Sequence, residues 1–369
     1  MTVSPAQAKL RPANGGSGNA AISANGRYVA FASAASNLVR RDTNRVYDVF
    51  VRDRVRRTTE RVSVGSHGAQ ANAQTGLSGV SANGRFVVMW SEASNLTVGD
   101  TNGVADVFVR DRVSKTTKRV SIGPDGAQFA SESGQAVISA DGRFIAFESA
   151  ATVYVYDRVS GITELIGHGG QPAMNANGRY LAFNDGSGQI VVRDRAAGST
   201  EFVSIASDGT PLSGTAVTPT ISANGRFVAF VVEPPLLPPN PEAHDALYVR
   251  DRLQRATELI QTSVGNPSIS PDGRTVAYQG GKPGGFQEVI VKDLVSGVSE
   301  TASLSSRHAG ENGPSFTGVG PLSFDGRIVA FLSDASNLVS GDTNHATDVF
   351  LRDLGHGVTE LISVAARQR

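Results

Sequence analysis

Val80-Ser81-Ala82-Asn83-Gly84-Arg85-Phe86-Val87-Val88-Met89-Trp90 decides the fold of this chain. Val80 to Ala82 ends a short strand. Asn83-Gly84 makes a tight turn, because Asn and Gly tolerate the positive φ such a turn needs. Phe86 to Trp90 is a second strand. A loop follows, then a third strand, Asp106-Val107-Phe108-Val109-Arg110-Asp111, another turn, and a fourth strand over 117–122. Four short antiparallel strands per unit is the pattern of a propeller blade.

The same turn recurs at Gly26, Gly84, Gly142, Gly178, Gly225, Gly273 and Gly326, each after Asn or Asp and before Arg. The third strands are predicted at 48–53, 106–111, 153–157, 189–194, 246–251, 288–293 and 348–353. The fourth are predicted at 59–64, 117–122, 163–166, 200–205, 257–260, 299–304 and 359–364. Even the closest pair of turns, Gly142 and Gly178, leaves room for four strands. One repeat cannot bury its own apolar faces, so the repeats must stack. The fold class is therefore all-β, a seven-bladed β-propeller of four-stranded antiparallel blades. It forms a single domain over 1–369, with repeats from about 14 to 364. Residues 1–13 are an N-terminal arm or a closing strand through Thr2-Val3-Ser4. No stretch carries a 3.6-residue apolar stripe, which excludes a helical fold.

Lys and Arg total 34, as do Asp and Glu. That balance argues against nucleic acid or an anionic membrane surface as partner, since both call for a basic excess or patch. The absence of cysteine excludes disulfides, thiolate metal sites and cysteine nucleophiles. No apolar run is long enough to span a bilayer. Residues 1–11 lack the apolar core of a secretion leader. A monomer is expected, secreted or periplasmic, with the leader absent from this chain.

Pro267-Ser268-Ile269-Ser270-Pro271-Asp272-Gly273-Arg274-Thr275-Val276-Ala277-Tyr278 closely resembles the repeat of TolB-like propellers, also called WD40-like or PD40 repeats. Softer copies are Ser23-Ala24-Asn25-Gly26-Arg27 and Ser139-Ala140-Asp141-Gly142-Arg143. The resemblance covers nearly the whole chain and is specific for fold. For function it implies a range: periplasmic translocation components, propellers attached to serine peptidases, lyases of acidic sugars, and exported proteins of unassigned role.

The turns between first and second strands share one face with those between third and fourth. This face is monotonous. Arg at the start of each second strand should meet the Asp closing the third, pairing Arg27 with Asp53, Arg85 with Asp111 and Arg274 with Asp293. The other face diverges. Three second-to-third loops read Ser-Asn-Leu, then Asp-Thr-Asn, then Asp. Their acidic and amide positions are Asp42, Asn44 and Asp48; Asp100, Asn102 and Asp106; and Asp342, Asn344 and Asp348. These belong to blades 1, 2 and 7, which ring closure makes contiguous. Blades 3 and 4 have lost the loop. Blade 5 replaces it with a proline-rich stretch, Pro234 to Pro241, and keeps only Asp245.

Alternating oxygen ligands suit a hard cation such as Ca²⁺. Arg45, Gly103 and His345 stand where calcium loops carry glycine or another acid. The competing reading is that Asp and Asn cap their own turns and fix the start of the third strand. Any metal would stiffen the loops rather than catalyse.

The six histidines show no metal-ligand spacing, although His67, His168, His244 and His308 could converge at the channel mouth. The resemblance implies a histidine-rich centre for the sugar lyases. Serines form no nucleophile elbow. Glu92, Glu148 and Asp334 follow second strands, and a glycosidase pair needs carboxyls about 5–9 Å apart. Trp90 is placed either to stack on a sugar or to pack between blades. The leading reading is a non-catalytic scaffold binding a protein or carbohydrate ligand through the loop-rich face of blades 7, 1 and 2. Trp90, Glu92, Asp334, His67 and His308 are the candidate contacts. The alternative is a polysaccharide lyase or glycosidase with its site at the channel mouth.

Overall fold

A computed structural model describes residues 11–235, 244–281, 285–308 and 310–366. Twenty-eight strands form seven four-stranded sheets, each made of four consecutive antiparallel strands. The blades run over 17–61, 75–119, 133–168, 170–202, 215–262, 265–301 and 315–361. No described residue is helical, and no helix is long and apolar enough to cross a membrane.

The expected third strands hold to within one residue. The fourth strands of blades 1, 2, 4, 6 and 7 are shorter than expected: the first is Thr58–Arg61 rather than 59–64. The amides of Val62 and Ser63 both point at the carbonyl of Val49, which ends the ladder. The Ser63 hydroxyl then accepts the Val49 amide in place of a backbone carbonyl. Ser121, Ser204, Ser303 and Ser363 do the same for Val107, Ile190, Val289 and Val349.

There is no single core. Seven apolar clusters each lie between adjacent blades; one joins Phe31 and Phe50 of blade 1 to Leu332 and Leu351 of blade 7. Each buried Phe contributes roughly 1.5–3 kcal/mol, so stability resides in the seams. Both ends of every seam carry backbone hydrogen bonds. On the turn face the amides of Ala24, Ala82, Ala140, Ala176 and Ala223 each donate to the next blade's turn. Pro271 has no N–H, so Asp272 donates to Phe324 instead, and Phe324 returns to Ala24. On the loop face each first strand begins with a bond to the preceding blade, as in Ser17 to Thr347 and Thr75 to Tyr47.

The seam between blades 7 and 1 has no covalent crossing. It is closed by a bridge between Pro12 and Val364, flanked by Ala13 to Ser363 and Ala365 to Arg11. This bridge stands where Val64 pairs with Gln70 in the next link. Residues 11–13 thus complete a link and do not add a strand to a blade. Thr2-Val3-Ser4 and most of the proline-rich stretch lie outside the described residues.

The expected Arg–Asp pairs form. Arg27–Asp53, Arg85–Asp111, Arg143–Asp157, Arg179–Asp194 and Arg226–Asp251 are bidentate, and Arg274–Asp293 is a single contact of 2.8 Å. In blade 7, Asp353 takes His356 instead. In four blades the residue after this Asp is an arginine that adds a clamp sequence reading missed. Arg54, Arg112, Arg195 and Arg252 reach back to Glu360, Glu60, Glu164 and Glu201 on the preceding blade. Arg112 also lies over the Tyr28 ring.

The Arg85 guanidinium, together with nearby amides, holds the Asp111 carboxyl well below its ordinary range, and hydrogen bonds from Ser296 and Arg274 hold Asp293 at about 2. A carboxyl depressed by folding adds stability above its unfolded pKa and loses it as pH falls through the folded value. Arg85 is partly exposed, so Arg85→Met should lower the urea midpoint only slightly at pH 7. That cost should shrink in urea melts as pH falls from about 4 to about 2, and disappear only where Asp111 is protonated in the fold. An equal cost across this range would show that the pair is electrostatically idle.

Candidate functional site

Each Asp-Thr-Asn loop sits at the start of a third strand. The chain enters through a left-handed residue, Arg45, Gly103 or His345, with φ of 60°, 71° and 55°. The three copies therefore share one backbone, and only glycine adopts it freely. Leu38, Leu96 and Leu338 anchor the loops in the seams. The Asn of each loop reaches the next blade's entry: Asn44 to the Ala71 carbonyl, Asn102 to Phe129 and Asn344 to Ala13, each at 3.0 Å. These loops staple blades 7, 1, 2 and 3 together.

The acidic groups lie beneath. In blade 1, Arg61 Nη1 stands 2.9 Å from Asp42 Oδ1 and 3.1 Å from Asp48 Oδ2. Asp48 is fully buried and also accepts from Ser63 and Asn44. In blade 2, Arg119 lies 3.2 Å from Asp100 and 3.4 Å from Asp106, while Ser121 and Asn102 complete the Asp106 shell. A guanidinium thus occupies the space between the carboxylates in both blades. In blade 7 the equivalent position is Leu361.

A central channel of about 610 Å³ runs along the axis, lined by the first strands. Every first strand carries a bulge. Asn19, Gln135, Gln171, Thr218 and Asn266 take positive φ near these bulges. In blade 7 the interruption is longer: pairing jumps from Thr317–Phe331 to Leu322–Val329. Val319 and Phe324 of that blade face the channel, and Phe324 stays half exposed. Among the described residues every lining side chain is uncharged, with no acid, base or histidine.

The candidate histidines do not come together. His67, His168, His244 and His308 are all exposed and none lines the channel. Among the described residues, no three His, Asp or Glu side chains are grouped so as to hold a metal. His308 lies on blade 7, against Gly357 and 3.4 Å from Arg352. Its link is clipped to the edge strand of blade 7 by Ser306 and Thr359, as Ser66 clips to Thr117 and Ser207 to Thr257. The links between blades cover exposed strand edges rather than forming a free rim.

Trp90 packs over Gly76, its partner on the adjacent strand of the same blade, where any Cβ would meet the indole. Glu92 is exposed, and Asp334 accepts a hydrogen bond from Thr347. Glu148 belongs to the second strand Phe144–Ser149 rather than following it, and its carboxylate accepts the Gln171 amide of blade 4.

No protein-family model and no curated protein matches this chain. Solved structures do resemble it. The β-propeller domain of the trilobed protease from Pyrococcus furiosus, described as having an open velcro topology, matches with a TM-score of 0.60 and 13% identity over 96% of this chain and 99% of that one. Oligogalacturonate lyase in complex with manganese matches with a TM-score of 0.52 and 10% identity over 80% and 82%. TolB from Acinetobacter baumannii gives 0.48 and 12% over 87% and 76%. The first two establish a shared propeller fold and nothing finer.

Proposed function

We propose that this propeller is a non-catalytic recognition module for a protein or glycan, holding an uncharged part of its ligand in the axial channel. The observation that carries this reading is the lining: a cavity of about 610 Å³ with no charged side chain among the described residues. That volume lies within the usual range for ligand pockets. A few amides and hydroxyls, such as Asn19, Thr218 and Asn266, would orient the ligand, and Val319 and Phe324 would supply apolar contact. Glu92 and Asp334, on the loop face of blades 2 and 7, would serve as outer contacts. A periplasmic or secreted location is part of this proposal, and the TolB-like repeat at Pro267 to Tyr278 supports it. A lyase or glycosidase centre needs a base or a carboxylate pair, and the lining supplies neither.

Gly79 provides the test. It lines the channel, and a Cβ there meets only Ile138 Cγ2, at 3.5 Å. Gly79→Phe should therefore fold normally and plug the channel. Binding would be screened by calorimetry against uncharged oligosaccharides and peptides. A ligand found for the native protein should lose affinity about tenfold or more in Gly79→Phe, with the melting temperature unchanged. Unaltered binding would move the site off the axis. Turnover of an oligosaccharide would replace this reading with an enzymatic one.

A further inference from the structure

The three Asp-Thr-Asn loops serve as controls for one another. In blades 1 and 2 the buried carboxylate pair encloses an arginine, and a glutamine side chain finishes the loop. Gln70 donates to the Arg41 carbonyl and Gln128 to the Gly99 carbonyl, both at 2.8 Å. In blade 7 both carboxylates remain. Asp348 is fully buried and Asp342 is 8% exposed. The arginine has become Leu361, and the glutamine position is Pro12, which has no side-chain donor. The carbonyl of Gly341, counterpart of Arg41 and Gly99, therefore lacks its amide cap.

The consequence is visible in the atoms. Asp342 Oδ1 is buried with no hydrogen-bond partner among the described residues. It is the counterpart of Asp42 Oδ1 and Asp100 Oδ1, the atoms that touch the guanidinium in blades 1 and 2. It is thus aimed into the space that the arginine fills elsewhere. Asp348 Oδ1 takes the Ser363 hydroxyl and Oδ2 takes Asn344, which leaves Oδ2 without its second, cationic partner. Among the described residues no arginine or lysine pairs with either group. Burial, with the mutual repulsion of the pair, pushes Asp348 up to about 6. The exposed His345 is the titratable base whose charge bears on Asp342. Two buried carboxylates with no counter-charge are costly unless a cation joins them.

We propose that blade 7 holds a hard divalent cation where blades 1 and 2 hold an arginine. Asp342 Oδ1, Asp348 Oδ2 and the Gly341 carbonyl are the protein ligands, and water completes the shell, as calcium sites permit. The same loop joins blade 7 to the start of blade 1 through Asn344 and Ala13. The ion therefore braces the seam that has no covalent crossing.

The test is thermal melting of the full chain at pH 7.5 in EDTA and then in excess CaCl₂, MgCl₂ or MnCl₂, with calorimetric titration of CaCl₂ for stoichiometry. One cation should bind per chain and raise the melting temperature by about 3–6 °C. Asp342→Asn should abolish that rise. Leu361→Arg, which grafts in the arginine of blades 1 and 2, should also abolish it while raising the melting temperature in EDTA. Arg61→Leu and Arg119→Leu serve as reverse grafts and should each add one cation equivalent. If no cation shifts the native protein, the proposal fails. It fails equally if Asp342→Asn and Leu361→Arg keep the full response, since the ion would then sit elsewhere. Should Leu361→Arg not fold, Asp342→Asn and the calorimetric stoichiometry decide the matter.

Discussion

Asp106→Ala is expected to lower the stability of the fold by about 3–5 kcal/mol. The side chain is wholly buried and is the hub of three groups. Arg119 pairs with it, Ser121 and Asn102 donate to it, and Asn102 is thereby held where it staples the entry to blade 3. Removing the carboxylate leaves Arg119, itself largely buried, with Asp100 alone. It also leaves the buried Ser121 hydroxyl and the partly buried Asn102 amide without this acceptor. The loss should appear as a lower urea midpoint with an unchanged slope. Trp90, in the same blade, serves as the fluorescence reporter. Removing the charge at the corresponding position of blade 7 should behave differently. Asp348→Asn in EDTA removes a charge that has no arginine, so it should cost little or raise the midpoint. Equal losses at both positions would show that the arginine in blade 2 and its absence in blade 7 make no energetic difference.

Gly318→Val is the second large effect, expected at about 3 kcal/mol or more. Gly318 lies in the irregular first strand of blade 7 and faces blade 1. A Cβ there would stand 2.2 Å from the Ala20 carbonyl oxygen and 2.8 Å from the Ala20 nitrogen. Both are backbone atoms and cannot rotate away, so blades 7 and 1 must separate. Hydrogen exchange gives the signature: the amides of Ala13, Ser17 and Ala365, which cross this seam, should lose protection before those of other seams. Uniform loss of protection around the ring would argue against a local wedge.

Much of this fold can be read from the chain, because its rules are short-range. An Asn-Gly or Asp-Gly turn needs only its own φ values, and an Asp closing one strand meets an Arg opening its neighbour by register. That logic locates seven blades and six of the ion pairs. It runs out where a contact joins two blades. Nothing local to Arg112 announces Glu60, which lies 52 residues earlier. Nor does Ser66 announce Thr117. The acidic loops show the same boundary. Their oxygen pattern is plain in sequence, but Arg61 and Arg119 enter from the fourth strand, 13 residues beyond the Asp they serve. The channel was the least legible part. Its surface takes three to six residues from each blade, and apart from those in the recurring turns these lie at first-strand bulges whose side chains differ from blade to blade.

A propeller is a linear array bent until its ends meet. In an open array the terminal repeats have one neighbour each, and unfolding frays inward from them. Here the hydrogen bonds of the Ala24, Ala82 and Ala140 series run in one rotational sense and return to their origin through Phe324. No blade is terminal, and none can peel away without parting two seams at once. Partial unfolding is therefore suppressed, and the seven repeats melt as one body. The first breach belongs at the join between blades 7 and 1, where the bridge at Pro12, the Arg54–Glu360 pair and the acidic loop of blade 7 stand in for a peptide bond.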